Sequence, residues 1–165
     1  MQARLVALAL LLTAPALGSC GFTPLYATPG LSSGLSSIES VAPEGRTGFL
    51  LRQALDDALA RDATRPAVWR LTMDLKEIRT SRGRRVDATA SRYELVLVAD
   101  WKLVNVATGA VAVEGSTQTE ATFDRADQPY SGIVANQDAQ SRAASELARK
   151  IQLQLANWMA RGSGA

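Results

Sequence analysis

Arginine is the residue type in this sequence best placed to do chemistry. Four arginines fall within seven positions and a fifth follows close behind; they are Arg79, Arg82, Arg84, Arg85 and Arg92. A planar guanidinium forms two parallel hydrogen bonds with a phosphate or a carboxylate group. Gly83 allows a tight turn among them, so the sequence predicts a basic hairpin tip that binds a lipid phosphate or a partner. The alternative interpretation is an ordinary solvated loop that is rich in arginine.

Cys20 is the single cysteine of the chain. Residues 1–19 have a charged start, a short apolar run and small residues before Cys20, which is the pattern of a secretory signal. Leu17-Gly18-Ser19-Cys20 resembles a bacterial lipobox, so we expect Cys20 to be lipidated and to anchor the mature chain in a membrane. An ordinary secretory signal with an incidental cysteine is the alternative. An Asp after the lipidated Cys typically retains a lipoprotein in the inner membrane, so Gly21 predicts a periplasm-facing protein of the outer membrane.

The composition argues against catalysis. The chain has no histidine, which removes the usual general base and the usual zinc ligand. Asp56 and Asp57 are adjacent on a predicted helix and cannot face each other. The charges nearly balance, with 18 Lys and Arg against 16 Asp and Glu, so bulk charge gives no case for nucleic acid. We therefore predict no catalytic residues, no metal site and no cofactor.

The elements that must position the arginines follow from hydrophobic periodicity. Alternation of apolar and polar residues predicts strands over 37–42, 68–76, 91–104 and 110–123. Apolar residues at helical spacing predict a helix from Thr47, its expected N-cap, that stops before Pro66, and a long helix over 134–161. The expected class is an α+β two-layer sandwich in the order β-α-β-β-β-α. Two helices would pack on one face of a four-stranded, mostly antiparallel sheet.

The expected domain organisation follows from the same pattern. After the signal at 1–19, residues 20–36 are rich in Gly, Pro and Ser and predict a flexible tether. Residues 37–162 form a single α+β domain, and 163–165 are a frayed C-terminus. Three tryptophans are expected in the core: Trp69, Trp101 and Trp158. Val96 and Val98 are predicted to point to the polar side of the sheet. They would form part of a hidden interface, or they are ordinary β-branched residues of a central strand.

The start of the mature chain resembles a known family. Cys20-Gly21-Phe22-Thr23-Pro24-Leu25-Tyr26, followed by this order of elements, is similar to the LPS-assembly lipoproteins of the LptE family in their alphaproteobacterial form. The resemblance implies a non-enzymatic outer-membrane lipoprotein that plugs the β-barrel LptD, assists its assembly and contacts lipopolysaccharide (LPS). It also implies a basic residue in the hairpin between the second and third strands, which points to Arg79, Arg82, Arg84 and Arg85 here.

The resemblance leaves two questions open. Better-studied relatives have a second basic residue just before the last helix, whereas the matching stretch here, residues 133–136, has none. That departure leaves the hairpin as the remaining candidate contact for LPS. An auxiliary lipoprotein of an ABC-type lipid transporter, or a lipoprotein with a structural role in the envelope, would also combine a lipobox with a small α/β domain.

Overall fold

The computed structural model describes residues 30–41, 43–84, 90–124 and 129–162. The described residues form seven elements in chain order: α1 (Leu31–Ser36), β1 (Ile38–Val41), α2 (Arg46–Ala58), β2 (Trp69–Arg84), β3 (Ala90–Asn105), β4 (Val111–Asp124) and α3 (Pro129–Gly162). The four strands form one sheet in the order β1-β2-β3-β4. β1 runs parallel to β2, and the other two pairs are antiparallel. The predicted α+β class and the predicted order of elements are confirmed.

The core lies between the helices and one face of the sheet, as the periodicity predicts. Odd-numbered residues of β2 and β3 point inward, and those beneath the helices are buried, among them Leu71, Leu95 and Leu97. They meet the leucine stripe of α2 and the alanine, leucine and isoleucine stripe of α3. The expected place of the tryptophans in the core is confirmed: Trp101 is 4% exposed, and Trp69 and Trp158 pack edge to face with centroids 5.5 Å apart.

The end of the expected tether is not flexible in the structure. Residues 31–36, assigned to the tether from sequence, form the helix α1 and bury Leu31 and Leu35 in the core. The cause is tertiary: these two leucines lie one turn apart and face α3, where Gly34 lies close to the Met159 sulfur. This packing outweighs a local sequence of Ser and Gly that has little helical preference.

Glu77 sets the relative positions of the two long helices. The hydroxyl of Thr47 donates a 2.7 Å hydrogen bond to one carboxylate oxygen of Glu77, and the side-chain amide of Gln140 donates to both oxygens at 3.1 and 3.2 Å. The sequence predicted Thr47 as the N-cap of α2, and this prediction is wrong. The helix begins at Arg46, and Gly45 takes the N-cap position. The first turn of α2 therefore lies beside Gln140 of α3. The last turn of α2 lies beside Gln152, whose side-chain amide donates a hydrogen bond to the carbonyl of Ala58.

Candidate functional site

The arginine-rich segment is a long two-stranded ribbon in the structure and not a loop. β2 continues to Arg84 and β3 begins at Ala90, so both strands extend beyond the predicted ends at 76 and 91. We call residues 78–84 and 90–96 the distal ribbon. Gly83 does not form the predicted turn; it lies within β2 at φ 70°, a conformation that glycine adopts at no steric cost. Arg85 and Cys20 lie outside the described residues, and of Arg84 only the backbone is described.

Two of the candidate arginines point to the outer face of the sheet, away from the helices. Arg82 and Arg92 are directly opposite each other in the β2–β3 register. Two like charges in such a pair repel, and each is compensated by a carboxylate. Glu94 accepts a 2.7 Å hydrogen bond from Nε of Arg82, and Asp124 accepts one of 2.9 Å from Nε of Arg92. Each guanidinium already has an anionic partner on this face.

Arg79 points to the opposite, inner face of the ribbon. Its guanidinium carbon lies 5.6 Å from the centroid of the Tyr93 ring, which in turn stacks on Phe123 at 5.4 Å. A cation above an aromatic face is attracted by the ring quadrupole. Within the part of the chain that the structure describes, Arg79 has no carboxylate partner. Among the described side chains of the predicted site, this is the cation best able to accept an anion.

The head of α3 is a feature that sequence reasoning missed. The helix begins at Pro129, five residues before the predicted start, so residues expected in a polar loop are helical. Tyr130, Ile133 and Val134 are 77%, 56% and 47% exposed and lie at i, i+3 and i+4 on one face of the helix. That spacing is visible in the sequence. Pro129 obscured it, although proline is well tolerated at the first helical position.

The outer face of the sheet carries a lattice of ion pairs. Arg70 pairs with Glu39 at 3.2 Å, and Lys76 pairs with Asp100 at 3.3 Å. The hydroxyl of Ser116 also donates to Asp100, and these two contacts lower the pKa of the Asp100 carboxyl, the hydroxyl contributing more than the ammonium. The predicted polar character of this face is therefore confirmed.

A small apolar patch interrupts this lattice. Val96 lies directly opposite Ile78 of β2, and Ile78 is half exposed. Val98 follows on the same strand, with Lys76 and Gln118 as its neighbours in the register. Val96 and Val98 are both partly buried.

Within 30–41, 43–84, 90–124 and 129–162, no group of three or more Asp, Glu, His or Cys side chains is arranged to hold a metal ion. None of the helices in these ranges has the length and apolar character needed to cross a membrane.

Comparison with known proteins identifies the relatives of this chain. The family model described as LptE, lipopolysaccharide-assembly, matches residues 35–155. The crystal structure of a candidate lipoprotein from Caulobacter crescentus is 52% identical, with a TM-score of 0.71 over 81% of this chain and 97% of that one. A minor lipoprotein from Acinetobacter baumannii has the same fold at 11% identity, with a TM-score of 0.53 over 73% of this chain and 88% of that one. No curated protein sequence matches the chain.

Proposed function

We propose, because this chain belongs to the LptE family of lipopolysaccharide-assembly proteins, that it plugs an LptD-like β-barrel of the outer membrane, assists the assembly of that barrel and contacts LPS. The observation that carries the proposal is the family match over residues 35–155. The 52% identity to the Caulobacter crescentus candidate lipoprotein, over 97% of that chain, supports the same assignment. Both findings support an envelope lipoprotein of a Gram-negative bacterium.

The outer face of the sheet supports the role of a plug. The lumen of an outer-membrane barrel is polar, and a domain inside it must present a polar surface on most sides. The ion pairs of Arg70, Lys76 and Lys102 with carboxylates on neighbouring strands give the outer face that character. The patch of half-exposed Ile78 with partly buried Val96 and Val98 adds a small apolar contact for the barrel wall.

The anchor and the location belong to the same proposal. Cys20 would carry the lipid, and the chain after it would connect the outer membrane to α1, which begins at Leu31. Because α1 is buried in the core, the chain is packed against the domain from Leu31 onward. A triacylated cysteine buries tens of methylene groups, each contributing ~0.8 kcal/mol, so the tether would be permanent.

The contact with LPS would use the distal ribbon. The candidates are Arg79, Arg82, Arg84, Arg85 and Arg92, and we place Arg79 first because it alone of the three described side chains has no carboxylate partner among the described residues. We assign no catalytic step to the chain. The support for that statement is the family itself, together with a sequence that contains no histidine.

Purification from native membranes in mild detergent tests the proposal. We expect a large β-barrel to co-purify with the tagged chain in a 1:1 ratio. An inner-membrane transporter subunit as the stoichiometric partner would instead support the transporter lipoprotein.

Arginine variants test the LPS contact. Replacing Arg79, Arg82, Arg84 and Arg85 by Ser should weaken LPS binding or barrel association. The matched control replaces four surface arginines elsewhere: Arg52, Arg65, Arg142 and Arg149. If the ribbon variant and the control variant bind equally well, the ribbon is not the contact.

A further inference from the structure

The helix layer above β2 ends abruptly, and this leaves one side of the α3 head uncovered. Because Thr47 and Gln140 both bond Glu77, the first turn of α2 is level with Gln140. The α3 residues before 139 therefore run on for ~15 Å beyond the start of α2, at 1.5 Å per residue. No helix among the described residues takes the place of α2 in that stretch.

Tyr130, Ile133 and Val134 lie on the side that α2 would have covered. Ser141 and Ser145 of α3 face Leu50 and Ala54 of α2 across a shallow groove. Tyr130 and Val134 precede Ser141 and Ser145 by eleven residues each, which is three helical turns and so the same face. The exposed apolar stripe of the head therefore continues the side of α3 that faces α2.

The floor beside this stripe is the inner face of the distal ribbon. Beyond Glu77 the inward residues of β2 are Arg79 and Ser81, both exposed. Arg79 lies ~7 Å beyond Glu77 along the strand, and Ile133 lies ~10 Å beyond Gln140 along the helix, so the two are at about the same height. The guanidinium leans over Tyr93 of β3, towards the strands beneath α3.

These surfaces form a shelf, whose wall is Tyr130, Ile133 and Val134 and whose floor is Arg79 above Tyr93. We propose that the shelf holds one acyl chain of LPS against its apolar wall while Arg79 binds an anionic group of the same lipid. The inference rests on the proposed function and adds to it the part of the lipid that is recognised. A purely anionic ligand would leave the wall without a role, and a purely apolar ligand would leave Arg79 without a counter-ion. An anionic amphiphile satisfies both surfaces.

The test compares two ligands and two surfaces. The ligands are LPS purified from the source bacterium and the same LPS after complete deacylation, which keeps its anionic groups. The wall variant is I133S/V134S, the floor variant is R79S, and the control is F49S, because Phe49 is 65% exposed on α2 outside the shelf. Affinities are measured with the full-length purified protein in mild detergent.

We expect the wall variant to bind intact LPS about tenfold or more weakly, since two branched side chains lose their burial, and to bind deacylated LPS unchanged. R79S should weaken the binding of both ligands, and F49S should weaken the binding of neither. An equal loss for both ligands in the wall variant, or a loss below twofold for intact LPS, overturns the shelf. Y130S, at a position that is 77% exposed and tolerant of change, gives a second wall variant if I133S/V134S folds poorly.

The outcomes separate the shelf from the function on which it rests. If LPS binds tightly and depends on Arg79 but not on the wall, the acyl contact is wrong and the LPS contact stands. If the wild-type protein binds neither ligand, both statements about LPS are wrong. Co-purification of the barrel should be the same for the wild type and the wall variant, because the shelf is assigned to the lipid and not to the barrel.

Discussion

Gly115→Ala should destabilise the domain, because Gly115 leaves room for the indole of Trp101. A Cβ added at Gly115 would lie 2.6 Å from Cζ2 and 3.0 Å from Cε2 of that ring. The ring cannot turn away without loss, because its Nε1 donates a 2.9 Å hydrogen bond to the Thr117 hydroxyl. Thr117 in turn donates to Gln154 of α3, so the collision reaches a contact that joins the sheet to the helix.

The magnitude follows from three contributions. Overpacking a buried site costs about 1–3 kcal/mol, and losing the indole hydrogen bond costs about 1 kcal/mol. Alanine in place of glycine in a strand returns about 0.5–1 kcal/mol, because the unfolded chain has less freedom to lose. We therefore expect a net decrease of about 1–3 kcal/mol in the free energy of unfolding, which lowers Tm by roughly 4–12 °C for a domain of this size.

The assay is thermal unfolding followed by near-ultraviolet circular dichroism, which reports the environment of the aromatic side chains, Trp101 among them. Gly132→Ala is the matched control, because a Cβ at Gly132 in α3 meets nothing within 4 Å. That variant should be neutral or more stable by up to about 1 kcal/mol, as expected for alanine in a helix. A Gly115→Ala protein that melts within 2 °C of the wild type would refute the packing described for Trp101.

Two further predictions concern polar contacts. Glu77→Ala removes the acceptor shared by Thr47 and Gln140. It should therefore lower the free energy of unfolding by about 1 kcal/mol and speed amide hydrogen exchange in the first turn of α2. Unchanged exchange there would show that Glu77 does not hold the helix. Ser116→Ala removes the largest cause of the lowered pKa of Asp100, which should rise toward its ordinary value in a carbon-detected NMR titration. A lowered folded pKa contributes stability that is lost as pH falls from the unfolded pKa through the folded one, so in the variant this loss should be smaller and complete at a higher pH. An unchanged Asp100 pKa would contradict this assignment.

The sequence predicts the sheet and the core well, because most strand positions alternate between apolar and polar residues and because α2 and α3 each carry an apolar stripe. Trp69, Leu71 and Met73 determine the inner face of β2, and their partners on β3 follow from the antiparallel register. Beyond Leu75 the apolar alternation ends, because Glu77, Arg79 and Ser81 take the inward positions. Gly83 and the cluster of arginines then indicate a turn. The ribbon is long because β2 and β3 pair with each other out to Arg84 and Ala90. A local sequence pattern does not reveal this pairing.

The candidate site is less accessible to sequence reasoning. The composition identifies the arginines, but only the structure separates Arg82 and Arg92, which have carboxylate partners, from Arg79, which lies on the other face. The shelf depends on the difference in length between α2 and α3 and on the level at which Glu77 joins them. Neither quantity follows from hydrophobic periodicity. Which arginine binds a ligand stays a prediction.

Photo-cross-linking in living cells tests the central claim, that this domain sits inside an outer-membrane barrel, most directly. A photoreactive amino acid is placed in turn at Val98 on the outer face of the sheet and at Phe49 on α2, which lie on opposite sides of the domain. A plug is surrounded, so we predict adducts with the same large β-barrel protein from both positions. Adducts with an inner-membrane transporter subunit, or no barrel adduct from either position, would contradict the account.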